Sequence, residues 1–213
     1  VIENHTTIGS GNTFYPFGAI GVAPADLKYK GEASELIIGN NNTIRESTSL
    51  HIGTAGGGNI TRVGNNNLLM AYVHLGHDCD LGDNIIIANG CQLAGHVTIE
   101  SWAILGGLTA VGQFIRIGAH SYVGGCSGVD RDVIPFSLGK GPTGQYQILG
   151  LNLVGLKRRG VKTEVISALN DAVKIFMNRD LEKIVALQKM EEAHGKHQEV
   201  QELIAFIRKS ESG

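Results

Sequence analysis

The segment Val63–Ile134 decides the fold: VGNNNLLMAYVHLGHDCDLGDNIIIANGCQLAGHVTIESWAILGGLTAVGQFIRIGAHSYVGGCSGVDRDVI. Every sixth residue from its first valine is aliphatic, twelve times in succession: Val63, Leu69, Leu75, Leu81, Ile87, Leu93, Ile99, Leu105, Val111, Ile117, Val123 and Val129. A period of six matches neither the 3.6-residue period of a helix nor the alternation of a single strand. It is typical of a repeat solenoid in which each hexad forms one flat face.

Three hexads complete one coil, so the segment predicts four stacked coils of a left-handed parallel β-helix. We expect the aliphatic residue of each hexad and the small or β-branched residue four positions later, such as Cys79 after Leu75, to fill the interior. The residue after the aliphatic position is usually small, and we expect glycines such as Gly76 to form the tight corners. An earlier, interrupted set of hexads runs from Ile2 to Leu50.

Two domains are predicted, a β-helix over residues 1–140 and a C-terminal α-helical domain over residues 145–213. The hexad pattern breaks near residues 22–35 and 53–62, which are rich in glycine or charge and are expected to leave the coil as loops. Such loops on a rigid scaffold often carry binding residues. From Asn152 onward the apolar residues return at helical spacing, and these helices are expected to cover the open end of the β-helix.

Composition excludes several classes of function. The formal net charge of −2 indicates no general affinity for nucleic acid or an anionic membrane. The apolar runs are too short to cross a bilayer. Three cysteines with no signal peptide favour reduced thiols and a cytoplasmic location. No cofactor is indicated. Since the chain begins at Val1 inside a patterned segment, we expect N-terminal coils of the natural protein to be absent.

The stretch Val73–Gly82, VHLGHDCDLG, contains the candidate catalytic residues. His77 and Asp78 are expected on the outer surface of the coil, with Gly95 over His77 and His96 over Asp78, because one coil is three hexads. A neutral imidazole can take a proton from a hydroxyl, with a carboxylate to orient it. The N–H of Gly95 could donate to an oxyanion, which together indicates acyl transfer to an alcohol.

Two other interpretations of these side chains stay open. The histidines could be solvated surface residues without a role, in a solenoid that acts only as a scaffold. A zinc site is the other alternative, since imidazole is a common metal ligand. The three-residue spacing of His74 and His77 differs from the five-residue pairs of the zinc-binding β-helix carbonic anhydrases. No metal is therefore expected.

Seven stretches, in order, resemble the UDP-N-acetylglucosamine O-acyltransferases that begin lipid A synthesis. They are ADLKYKGE (25–32), NNTIRESTSLHIGT (41–54), VGNNNLLMAYVHLGHDCDLG (63–82), QLAGHVTIE (92–100), GGLTAVGQF (106–114), VGGCSGVDRDVIPF (123–136) and NLVGLKRRG (152–160). The likeness runs from Val1 and fades beyond Gly160. One departure is Gly112, where many members have a histidine.

The resemblance implies transfer of an (R)-3-hydroxyacyl chain from acyl carrier protein to the 3-position of the glucosamine in UDP-N-acetylglucosamine. It implies that His77 is the general base, Asp78 its partner and Gly95 the oxyanion donor. The substrate contacts it implies are Asp26, Lys28, His74, His96, Gln113, Asn152 and Arg159, and it implies that Gly125 limits acyl length.

The family is trimeric, with its site between neighbouring β-helices, so a homotrimer is expected. Basic residues such as Arg158 and Arg159 could steer the acidic carrier protein, although a solvated helix end would show the same sequence. Two alternative enzymes are a UDP-3-O-acyl-glucosamine N-acyltransferase and one that acylates a 3-amino sugar nucleotide.

Overall fold

The structure is a computed structural model that describes residues 1–210. Its strands are short and lie in the first three quarters of the chain. They are β1 (Thr6–Ile8), β2 (Thr13–Phe14), β3 (Ala19–Val22), β4 (Glu35–Ile38), β5 (Thr43–Ile44), β6 (Ser49–His51), β7 (Ile60–Val63), β8 (Leu68–Leu69), β9 (His74–Leu75), β10 (Asp80–Leu81), β11 (Ile86–Ile87), β12 (Gln92–Leu93), β13 (Thr98–Ile99), β14 (Ile104–Leu105), β15 (Ala110–Val111), β16 (Arg116–Ile117), β17 (Tyr122–Val123), β18 (Gly128–Val129), β19 (Ser137–Lys140) and β20 (Gln147–Leu151).

The strands form three parallel sheets, which the chain visits in turn. The first sheet contains β1, β4, β7, β10, β13 and β16, and the third contains β3, β6, β9, β12, β15 and β18. The second contains β2, β5, β8, β11, β14 and β17, and continues into β19 and β20. We call the turn between the first and second sheets corner 1, that between the second and third corner 2, and that between the third and first corner 3. This confirms the predicted parallel β-helix.

The predicted register of three hexads per coil holds from β7 to β18; the last coil is shorter, so that Val123 pairs with Gly139. Leu75 pairs with Leu93, and Leu93 pairs with Val111. All twelve aliphatic residues of the repeat lie inside the prism with at most 3% of their surface exposed. Cys79, four positions after Leu75, is also fully buried. At roughly 25 cal/mol per Å² of apolar surface, this stack of side chains is the main stabilising contribution to the fold.

The corners are built differently from the prediction. Gly76 does not supply the left-handed backbone; the residue two positions later does, as Asp78 (φ 59°) and His96 (φ 63°) illustrate. Gly76 is small for another reason, since a Cβ there would lie 2.8 Å from the backbone carbon of Ala94 in the next coil. The prediction that Gly76 forms the corner was therefore wrong, and the small residue serves close stacking of coils.

Both interruptions of the pattern are loops, although their ends differ slightly from the prediction. Residues 23–34 connect β3 to β4, and we call them loop 1; residues 52–59 connect β6 to β7, and we call them loop 2. Val22, Glu35 and residues 60–62 belong to strands instead. Each loop lengthens its coil beyond three hexads, so that Thr6 pairs with Leu36 across loop 1 and Ser49 pairs with His74 across loop 2.

Beyond Pro135 the second sheet continues through β19 and the antiparallel β20, so a strand occupies residues 147–151, where the helical domain was expected. Four helices follow: α1 (Leu153–Arg158), α2 (Thr163–Met177), α3 (Lys183–His194) and α4 (Gln198–Lys209). Residues 211–213 of the predicted domain lie outside the described residues. Ile134 and Phe136 at the end of the prism share one apolar cluster with the helices. The helices therefore cover that end, as predicted. In residues 1–210 no helix has the length and apolar character to cross a membrane.

Candidate active site

His77 and Asp78 lie in corner 3, between β9 and β10. Their side chains point away from the prism interior, yet only 7% of His77 is exposed and the Asp78 carboxylate is fully covered. They lie on the outer side of the coil, and loop 2 folds over the corner and covers them. The catalytic candidates thus sit in a partly desolvated environment, where charge interactions are stronger than in water.

The two side chains form a hydrogen-bonded pair. His77 Nδ1 lies 2.7 Å from Asp78 Oδ2. With an ionised carboxylate as the acceptor, a neutral His77 carries its proton on Nδ1, donates it to Asp78 and keeps the lone pair on Nε2. This is the tautomer that a general base needs when a carboxylate orients it from behind.

Gly95 lies directly over His77, as the spacing of three hexads predicts. A Cβ on Gly95 would come within 2.6 Å of His77 Cε1 and 2.7 Å of Nε2. The His77 carbonyl accepts a hydrogen bond from His96 N at 2.9 Å, which locks the two coils together. Within residues 1–210, the N–H of Gly95 donates to no other group of the chain.

Three of the predicted substrate residues lie at or next to corner 3. His96 Nε2 is 3.7 Å from Asp78 Oδ2, and its ring stacks on Phe114 with 4.5 Å between centroids. His74 projects outward from β9, and its Nδ1 is 2.8 Å from Ser49 Oγ. Gln113 is exposed one coil beyond Gly95. His96 therefore contacts the pair, whereas His74 lies on the third sheet and Gln113 one coil beyond; their roles in substrate binding stay predictions.

His51 was missed by the sequence reasoning. Its ring lies 4.7 Å from that of His74, and its Nδ1 accepts a hydrogen bond from Ala25 N in loop 1 at 3.3 Å. Burial, and then the charges of His74 and His77, lower the pKa of His51 to about 4. Burial also lowers the pKa of His74. Counting three hexads per coil could not find His51, since loop 2 lengthens the coil between Ser49 and His74.

Three other predicted contacts lie in loop 1, which is an earlier turn of corner 3, and in corner 2. In loop 1 the Asp26 carboxylate accepts from the N–H of Lys28 at 2.9 Å, and the Lys28 side chain is exposed. Gly125 lies in corner 2. These three residues lie on the surface, where a ligand or a second chain can reach them.

Asn152 and Arg159 lie at corner 1, where both donate hydrogen bonds to backbone carbonyls of the β-helix. Asn152 is buried and caps α1, with Oδ1 accepting from Gly155 N at 3.1 Å and Nδ2 donating to the His120 carbonyl at 2.9 Å. Arg159 Nη2 donates to the Trp102 carbonyl at 2.8 Å, and burial lowers the pKa of Arg159. Within one chain, neither residue is placed at corner 3 beside His77.

The donor atoms of His77, Asp78 and His96 lie within 4.8 Å of one another, so these residues could also hold a metal ion. Against this use, Asp78 Oδ2 already accepts hydrogen bonds from His77 and from Thr54 Oγ1, the latter at 2.6 Å. A metal would have to displace them. The geometry favours the acid–base pair, and the absence of a metal stays a prediction.

Comparison with known proteins gives consistent results. Residues 132–213 match the family described as UDP N-acetylglucosamine O-acyltransferase, domain 2, and residues 60–95 match the bacterial transferase hexapeptide repeat. The acyl-[acyl-carrier-protein]–UDP-N-acetylglucosamine O-acyltransferase of Burkholderia lata is 43% identical over 210 residues, covering 97% of this chain and 79% of the relative. That of Nautilia profundicola is 44% identical over 208 residues, with the same coverage.

Solved structures agree. The UDP-N-acetylglucosamine acyltransferase of Bacteroides fragilis superimposes with a TM-score of 0.95 at 37% identity, covering 100% of this chain and 82% of that one. The O-acyltransferase of Moraxella catarrhalis gives 0.94 at 39% identity, covering 98% and 80%. We expected the likeness to fade after Gly160, and this was wrong. It continues through the C-terminal residues.

Proposed function

The chain belongs to the acyl-[acyl-carrier-protein]–UDP-N-acetylglucosamine O-acyltransferases of lipid A biosynthesis, and we propose that His77 is the general base of its reaction. The acyl donor is then an acyl carrier protein thioester and the acceptor is UDP-N-acetylglucosamine. We further propose that the acyl group is an (R)-3-hydroxyacyl chain and that the acceptor is the oxygen of the 3-hydroxyl of the glucosamine. The observation that carries the proposal is the 2.7 Å contact between His77 Nδ1 and Asp78 Oδ2, which leaves Nε2 free to take a proton.

In the proposed mechanism, His77 Nε2 removes the proton of the acceptor hydroxyl as its oxygen attacks the thioester carbonyl. Asp78 stabilises the imidazolium that forms, and the N–H of Gly95 donates to the oxyanion of the tetrahedral intermediate. Collapse of the intermediate breaks the carbon–sulfur bond. The imidazolium returns its proton to the departing thiolate, so that the products are an ester and the free thiol of the carrier protein.

The other proposed residues bind the two substrates. Asp26 and Lys28 on loop 1, with His74, His96 and Gln113, bind the sugar nucleotide and orient its hydroxyl. Asn152 and Arg159 contact the nucleotide, and Gly125 limits the acyl chain. The surface histidines support this assignment, since lowered pKa values keep His51 and His74 neutral and able to bond to hydroxyl groups near neutral pH.

We propose that the enzyme is a homotrimer whose site is shared between two chains. In support, the proposed substrate residues occupy three different corners of the prism, which a single chain cannot bring to one ligand. Large apolar side chains also project from corner 2, on the flank of the third sheet opposite His77: Tyr72 is 65% exposed and Leu108 is 69% exposed. A neighbouring chain or an acyl chain would cover them.

The base is tested with His77→Ala, assayed with hydroxyacyl carrier protein and UDP-N-acetylglucosamine. Loss of acid–base catalysis should lower the rate on the order of 10²–10⁴-fold. Full activity of the variant would contradict the role of His77. A parallel assay with the 3-amino analogue of the acceptor distinguishes O- from N-acylation, and stoichiometric zinc in active protein would favour the metal alternative.

The shared site is tested by co-expressing His77→Ala with Arg159→Ala, each chain carrying a different affinity tag. If each site takes His77 from one chain and Arg159 from its neighbour, random mixing restores an intact site in about one quarter of cases. That quarter includes the unmixed trimers, which have no intact site. Each mixed trimer has one intact site in three, so doubly purified mixed trimers should recover up to about one third of wild-type activity. No recovery in verified mixed trimers would mean that the site belongs to one chain.

A further inference from the structure

Thr54 of loop 2 holds the carboxylate of Asp78 through two hydrogen bonds. Its backbone N donates to Oδ1 at 2.8 Å and its hydroxyl donates to Oδ2 at 2.6 Å. Thr54 is 5% exposed and has an extended backbone at the start of the 3₁₀ turn Ala55–Gly57. Each oxygen of the carboxylate thus has a fixed direction, determined by a segment of the preceding coil.

The loop is shaped around this carboxylate. A Cβ on Gly57 would overlap Asp78 Cγ, whereas a Cβ on the adjacent Gly56 would meet only Thr54 Oγ1, at 3.9 Å. From the other side, Thr61 Oγ1 accepts the hydrogen bond of the Asp78 N–H at 2.8 Å. Asp78 is therefore held at its backbone and at both carboxylate oxygens.

Such restraint matters because Asp78 Oδ2 has two imidazole neighbours. His77 Nδ1 lies at 2.7 Å and His96 Nε2 at 3.7 Å. Without the hydroxyl of Thr54, Oδ2 loses the bond that opposes its rotation toward His96, and its bond to His77 weakens. The imidazole of His77 would then no longer be held in one tautomer and one orientation.

We propose that Thr54 is the positioning residue of the His77–Asp78 pair, its hydroxyl keeping Oδ2 on His77 Nδ1 and its loop excluding water from that bond. The inference rests on the proposed role of His77 as the base. Thr54 touches no reacting atom; it acts only through Asp78. A hydrogen bond to a charged group typically contributes enough free energy to change a rate by roughly 10- to 100-fold.

The test compares Thr54→Val, which has nearly the same shape but no hydroxyl, with Thr54→Ser, which keeps it. We expect Thr54→Val to lower kcat by about 10-fold or more with little change in KM, and Thr54→Ser to stay within about threefold of wild type. Thr48→Val is the matched control, because the buried Thr48 hydroxyl donates to the Arg45 carbonyl at 2.8 Å, away from the pair. Equal kcat values for Thr54→Val and wild type would overturn the proposal.

A second pair keeps the test decisive if Thr54→Val does not fold. Gly57→Ala should displace the Asp78 carboxylate and lower kcat, whereas Gly56→Ala, one residue earlier in the same turn, should not. The hydrogen-bonded Nδ1 proton of His77, followed by NMR in ¹⁵N-histidine-labelled protein, should shift or broaden in Thr54→Val and Gly57→Ala only. That signal can be measured without turnover. An inactive wild-type protein would contradict the proposed reaction, and the NMR signal would still test the role of Thr54. An unchanged signal in both variants would refute the positioning role.

Discussion

Replacing Gly95 by alanine tests the catalytic geometry with a single carbon atom. The new Cβ would lie 2.6 Å from His77 Cε1, 2.7 Å from Nε2 and 3.1 Å from Nδ1. Carbon atoms in contact prefer about 3.5 Å or more, so the imidazole must move by roughly 1 Å. The backbone of Gly95 is not in the left-handed region, so the clash alone opposes the substitution. The ring cannot retreat freely, since it is 7% exposed and bonded to Asp78.

A displacement of about 1 Å in a reacting group can cost on the order of 10²-fold in rate. We therefore expect Gly95→Ala to lower kcat by about that factor, measured with saturating acyl carrier protein thioester and UDP-N-acetylglucosamine. The backbone N–H of residue 95 is retained, so the loss reports the position of the base and not the removal of an oxyanion donor.

Gly112→Ala is the matched control, because a Cβ there meets Val129 O at 3.4 Å and Ile115 Cγ1 at 3.7 Å, which are ordinary contacts. It should keep near wild-type kcat. Thermal unfolding of both variants shows whether the fold is intact, since overpacking typically costs about 1–3 kcal/mol. A folded Gly95→Ala enzyme with kcat within about threefold of wild type would refute the reasoning that His77 must hold this position.

Three further predictions concern stability. Leu93→Ala should lower the free energy of unfolding by about 2–5 kcal/mol in denaturant titration, because Leu93 is fully buried; a loss below about 1 kcal/mol would contradict the stacked core. Asn152→Ala should cost about 1–3 kcal/mol in the same titration, since it removes the α1 cap and leaves the partly buried His120 carbonyl without its donor; a neutral result would argue against the capping role. Burial, with the charge of Arg159, lowers the pKa of His120 to about 4. The unfolded chain therefore binds more protons than the folded chain between about pH 6.5 and pH 4. The free energy of unfolding should fall as the pH decreases through that window. His120→Phe keeps a ring stacked between Trp102 and Phe136 and should flatten the decline of Tm between pH 7 and pH 5; an unchanged slope would show that other groups cause it.

Spacing in the sequence predicts which residues stack in coils without loops, but not in the coils that contain loop 1 or loop 2. From β7 to β18 the coils have the same length, so spacing alone placed Leu75 under Leu93 and Gly95 over His77. In the coils with loops the offset between paired strands is longer, and the same arithmetic misses His51 and Thr54. Loop length is not periodic, and so no repeat pattern predicts which residue of a loop reaches the corner.

The sequence by itself determined the β-helix, its interior and the juxtaposition of His77, Asp78, Gly95 and His96, because a six-residue period is a local property that stacking carries through the whole solenoid. Only the tertiary structure decided that Asp78 is covered, which hydroxyl holds it, and which imidazole nitrogen remains free. Those properties depend on how loop 2 folds back across corner 3, where one additional Cβ at Gly57 would overlap the carboxylate. Burial and hydrogen-bond direction arise from contacts between distant segments, whereas the repeat arises from each hexad alone.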